Sequence, residues 1–173
     1  MSKNSKVSLK ALTTGAMMAT LSIILERVVA IMPASNMMDI RISLSNVPLI
    51  LAGILVSPVI GGLSGVVSDI VGCFISGYAP FPLLTLAPLV IGFLPGALLC
   101  KKENGYAFGK VFFSIVVSHI LASVLITTYG LSIMRGVHFV PMLLSRLPSC
   151  GINLIIDITL VYLILKTPIS KNF

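Results

Sequence analysis

Residues 45–75 read SNVPLILAGILVSPVIGGLSGVVSDIVGCFI, and the way this stretch divides decides the fold. As one helix it would make a single long apolar span. Pro58 argues against that, because proline removes a helical N–H and its ring clashes with the preceding turn; Gly61 and Gly62 follow three and four residues later. The expected division is into two helices, Ser45–Val56 and Val59–Ile75, joined by a tight turn. Outward from this pair, four further apolar runs suit the roughly 20 residues that cross a hydrocarbon core of about 30 Å. They are Leu9–Met32, Leu83–Cys100, Val111–Tyr129 and Met142–Leu165. The expected fold is an all-α integral membrane protein, six transmembrane helices in a compact bundle, with residues 1–173 as a single membrane domain.

Composition points the same way. Hydrophobic residues make up 57% of the 173 and charged residues 10%, against roughly 25% charged in a typical soluble domain. So apolar a chain could not hide its side chains in one soluble core. The formal net charge is +7, yet no basic run is interleaved with aromatics and tryptophan is absent, so nucleic acid is not the expected partner. Cys73, Cys100 and Cys150 lie in apolar stretches without a CxxC pair, which argues against a disulfide framework and a metal site. Glu26 and Arg27 interrupt the first apolar run before any small-residue cleavage site, so it reads as a retained helix rather than a signal peptide.

Charge type divides by side. With a cytoplasmic N-terminus, and hence a cytoplasmic C-terminus, Lys3, Lys6, Lys10, Lys101, Lys102, Lys110, Lys166 and Lys171 fall inside. Arg27, Arg41, Arg135 and Arg146 fall at the outer side. The positive-inside rule explains the lysines and leaves the arginines unexplained. Guanidinium binds carboxylate through a bidentate fork, so outer arginines suit an anionic ligand; the alternative is pairing with lipid phosphates or with Glu26 and Asp39.

The last span adds detail. At 100° per residue, Arg146, Asn153 and Asp157 share one stripe. Arg146 sits highest and is the expected ligand contact. Asp157, about 16 Å deeper by helical rise, is expected to satisfy a hydrogen bond to another helix. Asp69, the other buried acid, can accept paired N–H donors from a heterocycle or pair with an arginine. Tyr78 and Phe81, set between prolines and glycine, can stack on a flat ring or belong to an interfacial aromatic belt. Arg135, His138 and Phe139 offer a similar mixture of charge and ring.

On the first helix Ala11, Gly15, Ala19 and Ser22 form a small-residue stripe that lets another helix approach closely, within the bundle or on a second protein. No phosphate-binding loop is present: residues 104–111 lack its first glycine and its hydroxyl residue. ATP-driven transport would therefore need another subunit to hydrolyse ATP. A remote alternative is a small intramembrane enzyme using Asp69 and Asp157 as an acid pair.

The chain resembles the substrate-binding S components of energy-coupling factor (ECF) vitamin transporters. The resemblance rests on residues 42–72, similar to that family's "G-x-L-x-G-P" turn and "G…(A/S)D-x-x-G" helix, with Ser57 in place of a glycine. Residues 81–86, FPLLTL, resemble the "FPGFTL" segment of the folate-specific subgroup, with Leu83 where glycine is usual. Arg27 and Arg146-Leu147-Pro148 also match that subgroup. The resemblance implies a folate-binding S component in the bacterial cell membrane that captures its vitamin from outside, with another anionic vitamin such as pantothenate as the alternative. It implies a transmembrane coupling subunit and two cytoplasmic ATPases as partners, and no cofactor on this chain. Together with the reading of the residues themselves, this gives an expected substrate-binding set of Arg27, Arg41, Asp69, Tyr78, Phe81, Thr85, Arg135, His138 and Arg146. The implied surface for the coupling subunit is Ala11, Gly15 and Ala19.

Overall fold

A computed structural model describes residues 9–29, 43–77, 79–99 and 108–167, and the described residues are all helical or connecting. Helix α1 covers Leu9–Ile24 and is continued by a π-helical turn, Leu25–Val29. Then come α2 (Asn46–Leu55), α3 (Pro58–Ile75) and α4 (Pro82–Leu99). Helix α5, Phe108–Arg135, is interrupted by a π-helical segment at Ile120–Thr127, and α6 covers Phe139–Lys166.

The proline break falls where the sequence places it. Helix α2 ends at Leu55, Ser57 is extended, and Pro58 opens α3 at its first turn, where a missing N–H costs nothing. The two are thus separate helices. Five helices are long and apolar enough to cross a membrane, and α2, at ten residues, is shorter. Ten residues rise about 15 Å, roughly half a hydrocarbon core.

Glycine sets how closely the first helices approach. A Cβ at Gly53 would overlap the Gly92 carbonyl, one at Gly96 would overlap the Gly53 carbonyl, and one at Gly92 would overlap the Gly61 carbonyl. Helices α2, α3 and α4 therefore meet backbone to backbone at this crossing, an approach small residues allow in membranes, where packing rather than hydrophobicity drives association. The core continues through Ile50, Ile91, Val111, Ile115 and Val161, joining α2 and α4 to α5 and α6.

The small-residue stripe of α1 is taken up inside this bundle. Gly15, Ala19 and Ser22 are buried, and Ala11 is half-buried. Ser64 Oγ donates to the Gly15 carbonyl at 2.9 Å, and a Cβ on Gly15 would stand 2.5 Å from Ile60 Cγ2. Of the three residues expected to form a coupling-subunit surface, Gly15 and Ala19 are thus turned into the bundle, Gly15 against α3, while Ala11 is partly exposed. The face of α1 turned away from the bundle holds Leu12, Thr13, Ala16, Met17 and Thr20.

Candidate ligand-binding cavity

Residues from the later parts of α1, α3 and α5 and from the earlier parts of α2, α4 and α6 come together around one space. It is a cavity of about 340 Å³, within the size range of small-molecule sites. Lys10, Lys110 and Lys166 lie at the opposite ends of their helices.

The walls are unusually polar for a membrane bundle. Glu26 from α1, Asp69 from α3, Arg135 from α5, and Arg146 and Asn153 from α6 all line the cavity. Serines fill the gaps between them: Ser22, Ser43, Ser45, Ser68, Ser123 and Ser149. Leu49, Leu84, Pro88, Ile91 and Leu131 supply apolar wall. Two carboxylates and two guanidinium groups around one space suit a ligand with both N–H donors and carboxylates.

Hydrogen bonds hold these walls in register. Thr85 donates its hydroxyl to Asp69 Oδ2 at 2.7 Å, tying α4 to α3. Ser22 Oγ donates to the Ser45 carbonyl at 2.8 Å, and the Ser43 N–H donates to Asn153 Oδ1 at 3.0 Å. The segment leading into α2 is thus fastened to both α1 and α6. The π-helical segment of α5 contributes Ser123 and Thr127. Thr127 Oγ1 donates five residues back to the Ala122 carbonyl at 2.8 Å, matching the widened turn; such turns are frequent at functional sites.

A family described as ECF transporter, substrate-specific component, matches residues 10–165. The chain belongs to that family. The fold of this substrate-specific component is also similar to a crystal structure of FolT bound with folic acid. The TM-score is 0.71 at 23% identity, covering 90% of this chain and 94% of that one, a likeness of fold. No curated protein matches the chain.

The residues singled out from the sequence of this ECF component now separate by place. Asp69, Arg135 and Arg146 line the cavity, with Thr85 bonded to Asp69. Arg27 instead donates through Nη2 to the Gly72 carbonyl, near the end of α3. Phe81 is half-buried just before α4, and its carbonyl accepts from the Leu84 and Thr85 N–H groups. His138 stands exposed ahead of α6. Neither Phe81 nor His138 lines the cavity. Arg41 and Tyr78 lie outside the described residues.

Asp157 is fully buried and bonded to His119 Nε2 at 2.7 Å and Asn46 Nδ2 at 3.1 Å. That is the interhelical hydrogen bonding expected of it. It does not line the cavity, whereas Asp69 does, so the two acids do not share a site and the acid-pair enzyme loses its geometry. The polar wall residues outside the expected binding set are Glu26, Asn46, Thr127, Asn153 and the serines. The helical period points to Asn153, seven residues after Arg146 on the same stripe; nothing comparable marks the serines, which also pack helices.

Proposed function

We propose that this S component binds folate from outside the cell and delivers it inward with the help of ATP-hydrolysing partner subunits. The observation that carries the reading is the cavity with Asp69 and Glu26 on α3 and α1 and Arg135 and Arg146 on α5 and α6. A pterin offers a flat ring with N–H donors for a carboxylate, and the glutamate tail offers carboxylates for guanidinium. The similar FolT was crystallised with folic acid bound, which supports the same ligand class here.

In this reading all six helices lie in the bacterial plasma membrane, with α2 a short buried element of the bundle and both termini cytoplasmic. The arginine end and its cavity face outward. Arg135 and Arg146 bind the tail, Asp69 meets the ring, and Thr85 positions Asp69. Arg41, Tyr78, Phe81 and His138 belong to the segments around the cavity mouth. Arg27 acts by anchoring α1 to α3 rather than by touching ligand. A transmembrane coupling subunit and two cytoplasmic ATPases complete the transporter, and no cofactor is needed on this chain.

The test is a vitamin panel on the purified protein. A ligand that binds only the folded state raises its melting temperature. Folic acid is expected to stabilise it more than pantothenate, riboflavin, thiamine or biotin. Stabilisation by another of these alone would reassign the substrate within the family.

A further inference from the structure

Beneath the cavity lies a buried polar cluster that the transport reading does not use. Asp157 of α6 and His119 of α5 are each almost completely buried, and His119 Nε2 lies 2.7 Å from Asp157 Oδ2. The same oxygen accepts from Asn46 Nδ2 at 3.1 Å. Asn46 is the first residue of α2 and lines the cavity. Three helices thus meet in a chain of polar contacts running from the interior to the cavity wall. Ionisable groups at membrane depth are costly, and a plain packing contact between helices does not need them.

The direction of these bonds has a consequence for Asn46. An amide offers a donor NH₂ and an acceptor oxygen, and exchanging the two by a half-turn costs little unless the surroundings choose. Asp157 Oδ2 accepts, so the NH₂ of Asn46 must point to it. The carbonyl Oδ1 then points away from Asp157, and it makes no hydrogen bond among the described residues. His119 Nε2 holds the same carboxylate oxygen in place at 2.7 Å.

We propose that Asp157 and His119 are positioning residues that lock the Asn46 amide with its carbonyl oxygen toward the cavity, making Asn46 an uncharged acceptor for a ligand N–H. The proposal rests on the folate reading. In an oxopterin, N3–H and one 2-amino hydrogen can pair with a carboxylate such as Asp69, which leaves the second 2-amino hydrogen in need of an acceptor. Asn46 Oδ1 supplies it without placing another negative charge in the cavity beside Glu26 and Asp69. An amide free to turn would present its donor half the time and lose that discrimination.

The experiment compares folic acid with 2-desaminofolic acid by titration of the purified full chain in lipid nanodiscs. Asn46→Ala is expected to weaken folic acid about tenfold, the value of one hydrogen bond, and to leave 2-desaminofolic acid unchanged. Asp157→Leu is expected to give the same selective loss, and to add nothing further in the Asn46→Ala background. His119→Leu should reproduce the loss, while His119→Gln, which keeps an N–H at similar reach, should restore folic acid binding. Equal weakening of both ligands by Asn46→Ala overturns the proposal. So does an Asp157→Leu effect that persists in full without Asn46. If Asp157→Leu does not fold, the His119 pair decides, and indistinguishable Leu and Gln variants overturn the positioning role. Wild-type protein that binds neither compound overturns the folate reading and the proposal together.

Discussion

The hydroxyl of Thr85 donates to Asp69 Oδ2 across 2.7 Å, so a cavity carboxylate on α3 is oriented by a residue one helix away. Asp69 lines the cavity, and with Oδ2 held in this way Oδ1 is the expected acceptor for a ligand N–H. Thr85→Val keeps the side-chain shape and removes the donor. It is expected to weaken folic acid several-fold, about 1 kcal/mol for one neutral donor, with little change in melting temperature. Calorimetric titration beside a thermal melt checks both halves, and unchanged affinity would remove Thr85 from the site.

Arg146 and Arg27 are expected to behave differently. Arg146 lines the cavity, and a charge-assisted bond to a ligand carboxylate is worth about 10- to 100-fold in affinity. Arg146→Ala should lose that much binding and retain the fold. Arg27 donates to the Gly72 carbonyl, so Arg27→Ala should lower the melting temperature and weaken binding less. The opposite ranking in a binding assay would return Arg27 to the ligand.

Two substitutions on α1 separate packing from docking. Gly15→Leu drives a side chain into Ile60 and Ser64 and should destabilise the isolated chain by about 1–3 kcal/mol, the usual cost of overpacking. Ala16→Leu, on the face turned away from the bundle, should leave the melting temperature unchanged. Equal melting temperatures for the two variants would mean that α3 does not cover Gly15.

The backbone contact at the α3–α4 crossing offers a third stability test. Gly92→Ala places a methyl group against the Gly61 carbonyl, where no flexible side chain can move aside. It should lower the melting temperature clearly, while Gly109→Ala, which meets no neighbour, should not. Similar melts for both variants would contradict the close approach.

Much of this architecture can be read from the sequence, for identifiable reasons. Pro58 marks the α2–α3 break because the steric rule for proline is local. Among the described residues, Lys10, Lys110 and Lys166 lie at the helix ends remote from the cavity, whereas Arg135 and Arg146 line it, a division already visible in their places along the chain. Asp157 is legible because a buried acid demands a partner, though the partner's identity, His119, required the tertiary structure. At Ala11, Gly15 and Ala19 the sequence is ambiguous for a physical reason: a stripe of small residues says that some helix approaches, and not which one. The cavity serines were hidden by the same ambiguity, since Ser22 and Ser68 also suit close packing. The π-helical segment of α5 leaves no sequence mark at all, because its residues, Ile120–Thr127, are ordinary for an apolar α-helix.

The most direct test of the central claim is a calorimetric titration of folic acid into the purified chain. Saturable binding at one site per chain, weakened strongly by Arg146→Ala, is the predicted result. No measurable binding of folic acid or its reduced forms, with pantothenate or another vitamin binding in their place, would contradict it.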